Sequence, residues 1–518
     1  MSTRQPLRRL MLALAGPLLW AGAAAGNPPM SAIDWLSRSV TAPPVAPPAD
    51  VVAAVPPTGQ APLPGIDVSV LGTQQLDAAG LVPVTVSGLP RDLWQGSASA
   101  DLIALLKAEP ARMLPALQDL LYSLLLAEVD PPADAGASGG FLIARVDRLL
   151  DFGALEQAQA LLQVAGTRQP ALFRRWFDVE LLLGQETAAC KVMAETPGIA
   201  PTLPARIYCL ARGGDWGAAV LTLKSAEALG MIPPQDSDVL TRFLDTSADD
   251  TATALPTPTR PSPLIWRMME AVGEPLPTNT LPVAFAQADL RSNIGWKAQI
   301  EAAERLARTG AIPPNQLIGI YTAGKPSASG DPWDRVAAVQ KFDAALRARD
   351  IAAVGRTLPL AWADIAAVGL DVPFAQLYAK PLAALHLSGK PAALAFRIGL
   401  LSPDAEAIAG ARIAADPAEA FLIGLARGHV DGLTPPDAMG AAISAGFAPG
   451  ASAGDDLDAL IAGHRLGEAI LRAIARISDG AAGDLRGVTE GLAALRKAGL
   501  DLAARQTALQ LMLIARAG

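Results

Sequence analysis

From residue 97 onward, apolar residues recur at three- and four-residue intervals, and glycine or proline repeatedly interrupts the run. That spacing puts the apolar positions on one helix face, so the pattern predicts helix after helix rather than sheet. The expected helices cover 98–107, 111–129, 141–151, 154–165, 171–183, 187–194, 204–211, 216–229 and 237–244. Each is bounded by the residues that helix ends favour. Residues 247–263 lose the periodicity and carry four prolines, which marks a linker between an N-terminal helical region, 98–246, and a C-terminal one, 264–518. Weaker breaks fall at 324–332 and 448–456. Ahead of the helices, 66–71 alternates and 82–86 is β-branched. Short extended segments are expected there, too few for a sheet domain.

Between 149 and 230 one signature recurs. Gly153, Gly184 and Gly214 stand 31 and 30 residues apart, and each is followed five residues later by alanine: Ala158, Ala189 and Ala219. Fixed periods of this size mark helical hairpins that cannot bury their apolar faces singly and stack into a shared core. The fold class expected is therefore all-α, an α-solenoid of helical hairpins, mostly helical and elongated. Looser echoes follow, with Leu394 five residues after Gly389 and Ala504 five after Gly499.

Gly214-Asp215-Trp216, with Ala219 and Ala226 on the next helix, resembles the turn and second helix of a tetratricopeptide repeat. Gly153 with Ala158 and Ala165 fits the same pattern, and Gly184 with Ala189 fits it up to Thr196, where the last alanine is missing. The small residue of the family's first helix is replaced by Val146, Phe177 and Ile207, which implies wider hairpins. The resemblance implies a superhelix that binds proteins or peptides along a concave face. It carries over no ligand residue.

Composition adds a compartment. The first 25 residues combine Arg4, Arg8 and Arg9 with an apolar run and the small residues Ala21 to Ala25, the layout of a secretory signal peptide cleaved near 23–26. The expected location is the periplasm. Removing it takes three positive charges from a formal balance of −8, leaving −11. An acidic mature chain argues against nucleic acid as a partner. No later stretch is both long and uncharged enough for stable membrane insertion. Cys190 and Cys209, the two cysteines, fall on neighbouring antiparallel helices and are read as a disulfide of an exported chain.

Residues 31–40 form a short amphipathic pattern, with Ile33, Leu36 and Val40 on one face and Trp35 beside it. Eight prolines follow within 41–64, a semi-rigid spacer with a reach of roughly 75 Å. This N-terminal part, 26–97, is expected to be a disordered proline-rich tether carrying a candidate docking peptide. So long a spacer favours reach to a distant surface over cover for the near end of the array, where two to eight residues would serve. The expected surface is a partner's; the alternative is that the segment folds back as an extra hairpin on its own array.

Signs of catalysis are weak. His386, His429 and His464 show no metal-ligand spacing, and no metal or cofactor is expected. Gly450-Ala451-Ser452-Ala453-Gly454 matches a nucleophile elbow in letters, yet no strand precedes it. A peptidoglycan lyase of the soluble lytic transglycosylase type, also built on a helical superhelix, would need a catalytic Glu-Ser pair, and the chain has none. Glu468 and Glu490 are expected on solvated helix faces. The function expected is a non-catalytic exported scaffold or adaptor that binds envelope proteins; the alternative is a cell-wall hydrolase or carbohydrate-binding protein on the same superhelix.

Overall fold

The computed structural model describes residues 75–110, 112–245 and 253–514. Among them are twenty-four α-helices, two 3-10 helices and one two-residue parallel strand pair. The expected hairpins form. Gly140–Asp151 with Leu155–Ala165, Pro170–Leu183 with Thr187–Glu195, and Leu203–Arg212 with Trp216–Ala228 are joined by Gly153, Gly184 and Gly214. All three glycines take left-handed φ, of 76°, 72° and 88°, which other residues adopt at a cost. Ala158, Ala189 and Ala219 are fully buried, where a side chain must be small for helices to approach. Val146, Phe177 and Ile207 fill the first-helix position from inside the same core.

Two local expectations shift. The 111–129 helix begins at Pro115 and ends at Leu126, because proline with its fixed φ opens a helix well and cannot sit deeper in one. Val82–Pro83 pairs in parallel with Ala127–Glu128, but Val84–Ser87 is a helical turn rather than a continuation of the strand. Pro83 has no N–H with which to extend the ladder, and Gly88 caps the turn in the left-handed region. Residues 66–71 lie outside the described residues.

The array does not stay open and elongated as expected, because its ends meet. Pro115–Leu126 packs on Gly140–Asp151, which packs on the 3-10 helix Val283–Leu290; contact passes on through Trp296–Arg308, Pro314–Tyr321, Asp371–Ala383, Gly389–Leu400, Ala405–Gly410, Pro417–Ala426 and Asp501–Leu513, and from there back to Pro115–Leu126. A second, smaller circuit branches from this ring. It runs from Pro170–Leu183 out through its partner Thr187–Glu195 and the third hairpin to Pro234–Leu244, then returns by Pro263–Ala271 to Pro170–Leu183. The second and third hairpins thus form an arm.

Side chains from far along the chain satisfy the free groups at helix ends, which is what seals these joints. The Ala116 N–H, in the first turn of its helix, donates to Gln510 Oε1 at 2.9 Å across 394 residues of sequence. At the other end of the next helix, Thr309 Oγ1 donates to the Phe152 carbonyl at 2.7 Å and Gln287 Nε2 to that of Gly153 at 2.8 Å. The seam itself lies between 93–97 and the start of Leu466–Ala481. The Gly467 N–H donates to Leu93 O at 3.1 Å, and the Trp94 ring lies so close that a Cβ on Gly467 would meet it at 2.3 Å. Trp94 in turn packs edge-on against Phe141 at 5.1 Å. Gly467→Val should therefore push the seam apart, costing about 1–3 kcal/mol or more. Small-angle scattering should show a larger radius of gyration at unchanged helicity; an unchanged radius and melting point would sink this account of closure.

The seam also buries a carboxylate. Glu109, just past Ser99–Ala108, is 4% exposed, and burial pushes its carboxyl up to about 7; Asp479 adds to the rise and Arg148 opposes it. A folded-state value above the unfolded one means that the contribution is complete below the ordinary carboxylate range and is lost as pH rises through about 7. The melting temperature should accordingly fall between pH 5 and pH 8. Glu109→Gln should remove about 1–2 kcal/mol of that dependence. A pH profile identical in the variant would rule Glu109 out as its source.

Candidate interaction surface

The arm is held by one covalent bond and one buried charge cluster. Cys190 and Cys209 are joined, with Cα atoms 5.0 Å apart and a sequence separation of 19. The bond ties the second helix of one hairpin to the first helix of the next. Beside it Glu186, 1% exposed at the foot of the Gly184 turn, accepts from the Tyr208 hydroxyl at 2.9 Å and pairs with Arg212 and Arg267, both at 3.3 Å. Arg267 belongs to the returning helix Pro263–Ala271 and also pairs with Glu270, which holds Arg291 at 2.5 Å. Arg291 lies over the Trp266 ring at 5.6 Å. Burial pushes the Tyr208 hydroxyl well above its usual range, so it stays a donor to Glu186. The cluster fastens the outbound hairpins to the returning strand of the circuit.

Against this fixed base, Trp216–Ala228 touches Leu203–Arg212 and Pro234–Leu244 and leaves its outer face open. That face is unlike its counterparts. At the corresponding positions the outer face of the first hairpin has Leu155, Gln159 and Ala160 and that of the second Glu186, Cys190 and Lys191, none of them an exposed apolar side chain, and Val164 is the one large exposed apolar residue on those two helices. Here it shows Trp216, Val220 and Leu221, continued past the helix end by Leu229 and Met231, with Leu221 69% and Leu229 72% exposed. Five of the eleven large exposed apolar residues among those described fall within these 16 positions. The only charged pair on the stripe is Lys224 with Glu227, at 2.9 Å. From inside, Trp216 is braced by Phe243 at 6.3 Å, and Phe243 by Tyr208 at 5.3 Å. Single exposed apolar side chains are ordinary; five within sixteen positions mark a contact surface.

The residues singled out in the sequence are distributed elsewhere. Ile33, Trp35, Leu36 and Val40 of the candidate docking peptide lie outside the described residues. His386, His429 and His464 are exposed on three separate turns. Among the described residues no group of three or more His, Cys, Asp or Glu is placed to hold a metal ion, and no helix is long and apolar enough to cross a membrane. Ser452 lines an open groove of about 650 Å³ with Ala438, Ala442, Arg486, Thr489 and Glu490. Its hydroxyl donates to Asp458 at 3.1 Å and accepts from the Gly454 N–H, which is the work of a turn residue ahead of Asp455–Ala462. No strand leads into it.

One expectation is reversed. Glu468 is fully buried, paired with Arg465 at 2.5 Å and Arg472 at 2.9 Å, because the N-terminal segment closes over the face that would otherwise meet solvent. Glu490 is only partly exposed and bridges Arg476 at 2.7 Å and Arg486 at 2.6 Å.

Comparison adds no relative: no family model matches the chain, and neither a curated protein nor a solved structure does.

Protein taken from an oxidising compartment should yield the Cys190–Cys209 linked peptides in a non-reduced digest. Cys190→Ala with Cys209→Ala should cost roughly 3 kcal/mol, the loop-closure value for a loop of this length. Two freely alkylated thiols in the native protein would remove the bond from the account.

Proposed function

We propose that this protein is a non-catalytic, exported scaffold that binds another protein of the cell envelope through the helical-repeat surface of its arm. The observation that carries the reading is the concentration of exposed apolar residues on the outer face of Trp216–Ala228, on a hairpin stapled by a disulfide and the Glu186 cluster. A rigid base under an apolar stripe is the arrangement that protein contacts use, since little is spent on ordering the surface when the partner arrives. The signal-peptide pattern and the disulfide support export, and the acidic balance supports a protein over a nucleic acid.

Wild-type protein and a Val220→Asp, Leu221→Asp variant, immobilised side by side in an envelope extract, separate the outcomes. The wild type should retain a defined protein that the variant retains at least tenfold less, with equal helicity in both. Equal retention would clear the stripe of this role. Clearing of purified cell wall by the protein in a zymogram would replace the scaffold with the hydrolase reading.

A further inference from the structure

We infer that the groove beside Ser452 is a binding site for a zwitterion: an amino acid or short peptide with small apolar side chains, held by both of its charged ends. The groove is built from elements outside the arm. The inference therefore goes beyond the scaffold reading and does not rest on it.

The groove is lined from Ala438–Phe447, from Leu485–Lys497 and from the turn at 452–455, and its volume of about 650 Å³ is that of a small-molecule site. Its frame is fixed. Gly446 lets the two helices approach until a Cβ there would meet the Thr489 carbonyl oxygen at 2.9 Å, and Thr489 Oγ1 donates to the Ala442 carbonyl at 2.9 Å.

Three charged side chains line it: Asp455, Arg486 and Glu490. Glu490 is already engaged, since its Oε1 accepts from Arg486 Nε at 2.6 Å and its Oε2 from Arg476 Nη1 at 2.7 Å. This clamp orients Arg486. With Nε held, the outer two nitrogens of the guanidinium make no bond among the described residues, and the side chain is 84% exposed. Asp455, the first residue of Asp455–Ala462, makes no side-chain bond or ion pair among the described residues either. The two groups feel each other without pairing. Glu490 chiefly, then Asp484 and Asp455, hold the Arg486 guanidinium above its usual range. The groove thus offers one free carboxylate and one free guanidinium end.

That combination decides the charge of the ligand. A simple anion on Arg486 would face Asp455, and a simple cation on Asp455 would face Arg486. A molecule bearing both signs satisfies both, its carboxylate taking the guanidinium N–H groups and its ammonium the Asp455 carboxylate. The apolar part of the lining is Ala438 and Ala442, one turn apart on the same helix, with Leu485, which suits methyl-sized side chains. Sugar recognition fits poorly. No aromatic ring lines the groove, the Ser452 hydroxyl is engaged with Asp458 and Gly454, and that of Thr489 donates to Ala442.

The test titrates the full chain with L-alanyl-L-alanine by calorimetry at low salt, where saturable binding with a Kd of about 1 mM is expected. High salt should weaken it, because both contacts are open to solvent. The N-acetylated and the C-amidated dipeptides should each bind about three- to fivefold more weakly than the free one. Asp455→Asn should bind the free and N-acetylated forms equally, and Arg486→Gln the free and C-amidated forms equally, with helicity unaltered in both. Absence of saturable binding by alanine, dialanine and trialanine up to about 10 mM would overturn the inference. Equal affinity of the wild type for the free and blocked dipeptides would do the same, as would variants that still discriminate between them. Tighter binding of a chitin disaccharide than of dialanine would make the groove a carbohydrate site instead.

Discussion

The structure depends on one close approach: the indole of Trp94 over the bare Cα of Gly467. A helical-repeat array ordinarily buries its core only between neighbours along the chain and leaves its end units with an uncovered apolar face. Here the first described segments and the last helices cover each other, so Leu93, Trp94, Leu102, Leu471 and Leu509 all lie in one continuous core. Closure replaces the polar end caps an open solenoid would need. It also makes contacts between residues hundreds of positions apart a condition of stability, as with Gln510 and the N–H of Ala116.

Charge is buried where distant parts of the chain must find a definite register. Glu304 takes both Nε and Nη2 of Arg335, at 2.8 and 2.9 Å, together with the Tyr321 hydroxyl at 2.7 Å. Arg175 spans Asp147 from the next hairpin in the same forked way, and Glu186 collects residues from both sides of 246–252. Desolvation offsets most of the attraction in such pairs, so their net worth is small, while any misaligned packing leaves a buried charge without a partner. They select one arrangement of an alanine- and leucine-rich helix set that would otherwise pack in several ways. Arg145 does this alone, donating from full burial to the carbonyls of Ala79, Leu125 and Ala127 and so holding the short strand pair in place.

The arm combines rigidity with an incomplete surface. Its hairpins are fixed by a disulfide and by the Glu186 cluster, yet the last second helix exposes Val220 and Leu221 where the two before it carry Gln159 and Ala160, then Cys190 and Lys191. In a repeat array the outer face of each unit is free to vary because it carries no neighbour contact. A departure concentrated in one unit is therefore a property of that surface and not a packing need.

The sequence by itself determined the helices, the hairpins and their partners along the chain. Glycine at left-handed turns, proline at first turns and alanine at close approaches act through local sterics, which are the same wherever the segment ends up. Cys190 and Cys209 were legible for the same reason, being neighbours in a local repeat. What the tertiary structure alone decided was everything that depends on which surfaces meet at long range. Glu468 reads as a solvated face of an amphipathic helix until the segment around Trp94 is laid over it. Val220 and Leu221 read as ordinary apolar positions of a repeat helix until the packing of the array leaves them exposed. Periodicity reports that a face is apolar or polar; what covers that face depends on chain closure between residues far apart in sequence, about which a local pattern carries no information.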